Sequence, residues 1–330
     1  MLLAADVGGT KARIGLFHPG DPRPTPTIVR EYPTKDFGTL DEMVAAFLRE
    51  TNGTTVDAFC AGVAGPVRGT VARLVNAPWT ADVDVVRARL GHCPAKLLND
   101  LEAMASAIPV LEPNELAILQ AGIALPEGNA AVIAAGTGLG QALLHNVDGR
   151  FIASPSEGGH ADFAARTPRE IALLGTLIRA HGRVDVERVV SGRGLVAIAG
   201  FTHGTANVPP ACPAIADDLA EADLPAAISE SALARRCAPC VEALDMFVEA
   251  FGAEAGNLAL RAVATAGLYI GGGIAPKILP ALEAGPFMET FRDKAPMEDL
   301  LRTLPVSVIL NPAAGLLGAA VRAGALMKEG

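Results

Sequence analysis

Residues 2–17 read LLAADVGGTKARIGLF. Leu2, Leu3, Ala4 and Ala5 form a short apolar run of buried-strand character, and beyond Thr10 the alternation of Ala12, Ile14 and Leu16 marks a second strand. Gly8 and Gly9 therefore sit at a strand-to-strand reversal, where backbone freedom is needed. A dinucleotide fingerprint would place its glycines ahead of a helix, and a Walker P-loop would need a wider glycine spacing, so neither fits. A glycine hairpin tip with exposed amides still suits an anion. Asp6 would repel a phosphate unless a cation bridged the two, so Asp6 beside this turn points to Mg²⁺ together with a nucleotide. Taken alone, the stretch also fits an ordinary hairpin with a solvated aspartate.

Residues 130–145, AAVIAAGTGLGQALLH, repeat the design of strand, glycine turn and returning strand. Two like hairpins half a chain apart predict a duplicated fold. The second turn, Gly136-Thr137-Gly138, has no carboxylate, so its amides and the Thr137 hydroxyl suit a phosphate without a metal.

Between and after these hairpins the pattern alternates helices and strands. Residues 40–49 have helical periodicity, 56–63 read as a buried strand, and 96–98 form a short strand running into Asn99-Asp100 and a helix over 101–111. Side chains at the carboxyl end of a strand project to where open α/β sheets bind ligands. The same Asn-Asp pair also serves as a plain helix cap. In SPSEGGHADF (154–163), Glu157 and His160 flank two glycines and can be turned towards one small ligand. Glu187 precedes an apolar run and reads equally as a helix-surface charge. Residues 237–263 are strongly helical, and a strand over 266–270 empties into Gly271-Gly272-Gly273, where a flat ring could approach the backbone or a helix could begin. A strand over 304–310 and a helix over 312–328 close the chain. Residues 202–232, rich in Pro and Ala, are expected to be a surface segment with no site of its own.

Composition narrows the class. The 330 residues are half apolar and 19% charged, which describes a folded globular chain and not a disordered one. A net charge of −9 argues against nucleic acid or anionic membrane as a partner. No basic leader precedes the first strand, and the longest uncharged runs are broken by Gly, Pro and Asn, so a cytoplasmic protein without membrane spans is expected. Five cysteines, an odd number, fit a reducing compartment. Cys237 and Cys240 make a CxxC, but zinc would need two more ligands and none lie close in sequence, so these read as structural thiols.

The ordered set ADVGGTKARIGLF, LLNDLEAMASAIPVL, AAGTGLG, PSEGGHADFA, ERVVSGRGL and GLYIGGGIAPK resembles the bacterial glucokinases of the hexokinase–actin–heat-shock-ATPase superfamily, over essentially the whole chain. The resemblance implies a two-domain α/β fold, ribonuclease H-like and actin-like, with duplicated mixed sheets and an interdomain cleft for sugar and ATP. It implies a small domain of residues 1–110 plus the closing helix 312–330, and a large domain of 111–311. It places Ala5, Asp6, Val7, Gly8, Gly9 and Thr10, with Gly136 and Thr137, at the nucleotide's phosphates, Asp6 holding Mg²⁺ directly or through water, and Gly271, Gly272 and Gly273 against adenosine. Asn99, Asp100, Glu157, His160 and Glu187 match glucose-contacting positions, Gly138 joins the substrate side, and Asp100 takes the role of catalytic base. Lys11 stands where many relatives carry Asn. The reaction implied is ATP-dependent phosphorylation of D-glucose at the 6-hydroxyl, by a homodimer.

The residue types suit that chemistry independently. Carboxylates, an amide and an imidazole can pair with the alternating hydroxyls of a sugar, and phosphoryl transfer asks chiefly for alignment, charge neutralisation and a base on the attacking hydroxyl. Two alternatives stand beside it. A kinase of another hexose or amino sugar, of the ROK (repressor, open reading frame, kinase) type, would carry a zinc-binding cysteine cluster soon after the Gly-His motif, and residues 161–171 contain no cysteine. A non-enzymatic sugar-responsive regulator would need a DNA-binding helical region ahead of the first strand, where this sequence opens on the strand itself.

Overall fold

The computed structural model describes residues 1–51, 53–74, 79–205, 212, 215–216 and 219–329, which form two compact units. Residues 1–115, 151–155 and 311–330 make the first, and 116–150 with 156–310 the second.

In the first unit, β1 (Leu2–Val7) and β2 (Lys11–His18) form an antiparallel hairpin extended by β3 (Thr25–Pro33). Helix α1 (Leu40–Glu50) leads to β4 (Ala58–Val63), which lies parallel to β1. A separate small sheet holds β5 (Val67–Arg68), β6 (Val71–Arg73) and β7 (Thr80–Asp82). Then α2 (Val83–Arg89), β8 (Ala95–Asn99) and α3 (Asp100–Ala107) follow, β8 parallel to β4. The main sheet thus runs β3-β2-β1-β4-β8. The proline-rich 19–33 stretch supplies its edge strand from Thr25 onward, where a residue without an N–H is tolerated.

Both faces of this sheet are covered, so its central strands are apolar on both sides. Leu3, Ala5 and Val7 point to one face with Ile14, Phe47 and Phe59. Leu2 and Ala4 point to the other, against Leu316, Ala319, Ala320 and Ala323 of the last helix, Ala314–Glu329. Small residues let that helix close on α3: a Cβ built at Gly318 would fall 1.7 Å from the Ala103 carbonyl oxygen.

The second unit repeats the plan. Here β9 (Leu116–Gln120) comes first, then the antiparallel hairpin of β10 (Ala130–Ala135) and β11 (Leu139–Val147); β12 (Arg150–Ser156) follows in the chain, its residues 151–155 counted with the first unit. Helices α4 (Pro168–His181), α5 (Gly192–Thr202), α6 (Leu224–Leu233) and α7 (Ala238–Ala262) precede β13 (Gly267–Gly271) and β14 (Val306–Ile309). Within the unit the order β11-β10-β13-β14-β9 has β10, β13 and β14 parallel and β9 antiparallel at the edge. A hairpin followed by two parallel strands therefore occurs twice, β2-β1-β4-β8 and β11-β10-β13-β14. The core of the second unit is built on α7, whose Phe247 and Phe251 meet the helix Pro286–Arg292 through an edge-on contact of Phe251 with Phe287 at 5.6 Å.

Several expectations change. The helix expected over 101–111 stops at Ala107 and tightens to a 3-10 turn, Ile108–Val110, where Pro109 removes an amide donor. The expected surface segment 202–232 contributes to the core instead: Cys212, Ile215, Leu224, Ile228 and Ala232 are all buried, and all but the last residue of α6 belongs to it. Its residues 206–211, 213–214 and 217–218 lie outside the described residues. Among the described residues no helix is long and apolar enough to cross a membrane.

Gly318 gives a test of sign. Helix propensity alone would have Gly318→Ala stabilise by about 1 kcal/mol, whereas forcing a methyl against a backbone carbonyl costs about 1–3 kcal/mol. We expect net destabilisation in urea unfolding, with Gly324→Ala in the same helix neutral or stabilising because its added Cβ meets nothing nearer than 3.4 Å. Stabilisation by Gly318→Ala would mean that the two helices are not held this closely.

Candidate active site

Strand register assembles the first half of the site. Val7 of β1 pairs with Val63 of β4, and Val63 with Asn99 of β8, so three parallel strands end level. The turn Gly8–Thr10, the turn after Val63 and the pair Asn99-Asp100 consequently share one sheet edge, at the carboxyl ends of the strands. Ala5 and Val7 are buried in the sheet and carry the turn. The turn is pinned by the Gly8 amide donating to the Lys11 carbonyl (3.0 Å) and by Thr34, whose hydroxyl donates to the Gly8 carbonyl (2.7 Å). Gly8 has no unusual φ, but space beside it is tight, since its Cβ would lie 3.0 Å from the Lys11 oxygen. Thr10 is exposed at the tip, and Lys11 is exposed and paired with Glu31 at 2.8 Å.

Asp6 is half-buried opposite Arg13, with its oxygens against Gly315 in the first turn of the last helix; a Cβ there would come within 2.9 Å of Oδ2. Burial pushes its carboxyl above the ordinary range, with the Arg13 charge pulling the other way. Arg13 is itself engaged by Glu31 and the Pro312 carbonyl. A buried carboxylate whose charge is only partly offset suits a hard cation, and Mg²⁺ typically binds through one or two carboxylates, waters and phosphate oxygens. The residues present therefore fit Mg²⁺ on Asp6.

Asn99 is the N-cap of α3, its side-chain oxygen accepting from the Leu101 amide at 2.9 Å. The helix-cap reading of this residue is thus correct as local structure. Asp100 is the first helical residue, half-buried, and its Oδ1 shares the Leu101 amide at 2.9 Å.

The second unit assembles its residues around the start of β11. Glu187, left open as a surface charge, sits on the glycine turn: its Oε2 accepts from the Leu139 amide at 2.9 Å and would lie 2.5 Å from a Cβ at Gly138. Gly138 is therefore a glycine because a carboxylate occupies the space. Gly158 and Gly159 likewise let the EGGH turn close on the strand, since their Cβ atoms would fall 2.2 Å from Gln141 Oε1 and the Leu139 carbonyl oxygen. Glu157 and His160 are carried exposed on that turn. Gly136 offers its carbonyl to the Gly192 amide (2.8 Å) at the start of α5, while Thr137 stays exposed. Gly271 pairs in register with Ala134, and Gly272 takes φ +86° with its backbone against the Ala135 carbonyl. A Cβ at Gly136 or Gly273 would meet nothing within 4 Å, so bare backbone faces open space at both turns. The structure thus brings Gly136–Gly138, Glu157, His160, Glu187 and Gly271–Gly273 to one strand-end region of this unit.

Sequence reasoning missed Asp185. Its carboxylate lies 3.0 Å from His160 Nδ1 and so orients the ring. That hydrogen bond, with the charges of Glu187 and Glu157 added, raises the His160 pKa against the opposing effect of burial. Asp185 is brought in by a bridge to Asp162 and by the Val186 amide donating to the Ala161 carbonyl, contacts that no sequence spacing announces.

The His160 pairing has a definite pH sign. Its pKa is raised on folding, so the stabilisation it gives is complete below about pH 6.5 and is lost as pH rises through the folded value. Exposure keeps that contribution small. Asp185→Asn should lower the His160 pKa towards about 6.5 in an NMR titration of the imidazole; an unchanged value would show that Asp185 does not orient the ring.

A family model described as Glucokinase matches residues 3–326. Glucokinases of Nostoc punctiforme and of a Synechocystis species are 41% and 39% identical, the alignments covering 99% and 97% of this chain and 99% and 96% of theirs. Among solved structures, a glucokinase from an Antarctic psychrotroph superposes with a TM-score of 0.84 at 31% identity, with 98% of both chains covered. A ROK family glucokinase from Streptomyces griseus, solved with glucose and AMPPNP, shares the fold with a TM-score of 0.67 at 22% identity, covering 100% of this chain and 99% of that one. The twice-used hairpin with its parallel strands is accordingly the actin-like ATPase architecture that the family resemblance implied. On the match of its whole length and on the identity of its relatives, this chain belongs to the glucokinase family.

Proposed function

We propose that this protein is an ATP-dependent glucokinase that phosphorylates D-glucose at its 6-hydroxyl, working in the cytoplasm as a homodimer. The observation that supports the catalytic assignment is the level strand edge of the first unit, from which both Asn99-Asp100 and the glycine turn following Asp6 open, with β4 between their strands. Membership of the glucokinase family supports the choice of sugar and donor.

On this reading the roles divide by chemistry. Ala5 and Val7 set the position of the Gly8-Gly9-Thr10 turn, whose amides, with those of Gly136 and Thr137, bind the donor's phosphates. Asp6 would hold Mg²⁺, which when bound neutralises charge on the β- and γ-phosphates. The bare backbone of Gly271–Gly273 accepts the adenosine ring. Asn99, Glu157, His160 and Glu187 pair with sugar hydroxyls, and the Gly138 backbone follows Glu187 to the substrate. Glucose analogues lacking one of those hydroxyls would strand a polar group of the protein and be rejected.

In the transfer step, O6 of glucose forms a bond to the γ-phosphorus as the bond from that phosphorus to the β,γ-bridging oxygen breaks. The O6 proton passes to a carboxylate oxygen of Asp100 and from there to solvent. ADP departs with the bridging oxygen. A short side chain at the first position of a helix is a rigid mount for such a base, because its backbone is already fixed by the Asn99 cap.

Two variants test the assignment. Asp100→Ala should lower kcat by about 10²–10⁴-fold, the usual worth of a general base, while ATP binding measured by calorimetry persists. Near-normal turnover would remove Asp100 from the chemistry. Glu157→Gln should raise the KM for glucose by about 10–100-fold through loss of a charge-assisted hydrogen bond and leave the KM for ATP nearly unchanged; equal effects on both would place Glu157 away from the sugar.

A further inference from the structure

The thiols that were read as structural stand beside a histidine. His203, Cys212, Cys237 and Cys240 bring their ligand atoms within 4.8 Å of one another. Cys212 Sγ lies 3.5 Å from Cys237 Sγ and 3.7 Å from Cys240 Sγ, and Cys237 Sγ lies 3.4 Å from His203 Nε2. A tetrahedral zinc ion with Zn–S near 2.3 Å and Zn–N near 2.0–2.1 Å fixes its ligand-to-ligand edges at about 3.8 Å for S···S and about 3.6 Å for S···N. The three observed separations match those edges, and they far exceed the S–S bond of about 2.05 Å in a disulfide. We propose that His203, Cys212, Cys237 and Cys240 bind a structural Zn²⁺ ion.

The histidine is set up as a ligand. Its Nδ1 donates to the Ala199 carbonyl at 2.7 Å, one turn back along α5, which leaves the Nε2 lone pair to face the sulfurs. A second hydrogen bond of this kind commonly fixes the tautomer and orientation of a metal-bound imidazole. The two cysteines of the CxxC occupy the N-cap and first turn of α7, where the helix dipole favours thiolates. Cys212 and Cys240 are buried and His203 and Cys237 are partly exposed, so three thiols and an imidazole converge from the interior and from its margin, four protein ligands in all. Four protein ligands with no open position is the form of a structural site and not of a catalytic one.

Binding is a proton exchange without redox change: each of the three thiols releases its proton to solvent as its sulfur bonds to zinc, and His203 binds through neutral Nε2. The ion would tie together the end of α5, the start of α7 and the Cys212 segment, the first two of which are also joined here by the Thr202 hydroxyl donating to the Pro239 carbonyl at 2.8 Å. The opposite end of α5 carries Gly192, whose amide holds the Gly136 turn. The clasp would thus fix the far end of the helix that positions one phosphate-type turn. It differs from a cysteine cluster following directly on the Gly-His motif, since its ligands begin 43 residues beyond His160 (203 − 160 = 43).

The test is zinc content of untagged full-length protein purified under reducing conditions, read by mass-spectrometric metal analysis. About one zinc per chain is expected, lost from Cys212→Ser and Cys240→Ser and kept by Cys60→Ser and Cys93→Ser. Should the first two variants fail to fold, wild-type protein stripped with a chelator and given Co²⁺ should show thiolate-to-cobalt charge-transfer and tetrahedral ligand-field bands, and Zn²⁺ should raise its melting temperature. The proposal fails if reduced wild type retains no zinc, shows no cobalt spectrum and gains no stability from Zn²⁺. It fails equally if zinc survives in Cys212→Ser and Cys240→Ser, or if the cluster closes into a disulfide that takes up no metal.

Discussion

In each unit, parallel strands end in register, and the positions of the turns that open from those strands follow from it. Val7, Val63 and Asn99 are level in one sheet, and Ala134 and Gly271 are level in the other. A strand shifted by one residue would turn its buried side chains to the wrong face, so the apolar packing that fixes register also fixes where the turns open. Leu3, Ala5 and Val7 hold one face of β1 while Leu2 and Ala4 hold the other. The chemistry at the strand ends thus depends on residues that never touch a substrate.

Close approach is the second constraint. Glu187 can rest on the Leu139 amide only because residue 138 lacks a Cβ, and the EGGH turn can lie on β11 only because residues 158 and 159 lack one. Asp6 is crowded in the same way by Gly315. These glycines are steric permissions for carboxylates and backbone to share space, which is a different use from the left-handed φ that Gly272 supplies.

The opening hairpin, its repeat at residues 130–145 and the glycine turn after β13 were legible because an apolar run that ends in glycines has few other readings. So was Asn99-Asp100, where a strand stops and a helix starts. Asp185 and the His203–Cys212 pair were not, because their partners lie 25 to 37 residues away and meet only through packing. Strand β9 has no alternation to reveal it, being partly exposed along most of its length. Helix α4 did carry a readable signal: Thr167 caps it by accepting from the Glu170 amide at 3.1 Å, a capping pair three residues apart. The 202–232 segment misled because its Pro and Ala content suggests surface, while its few large apolar residues and Cys212 are the ones buried.

The central claim concerns which molecule these turns and carboxylates serve. The direct measurement is a coupled assay of the purified protein over a panel of hexoses and amino sugars, with ATP, ADP and polyphosphate as donors and Mg²⁺ present. The account predicts glucose 6-phosphate from D-glucose and ATP, with kcat/KM highest for that pair. Turnover confined to another sugar, or none with ATP, would contradict it.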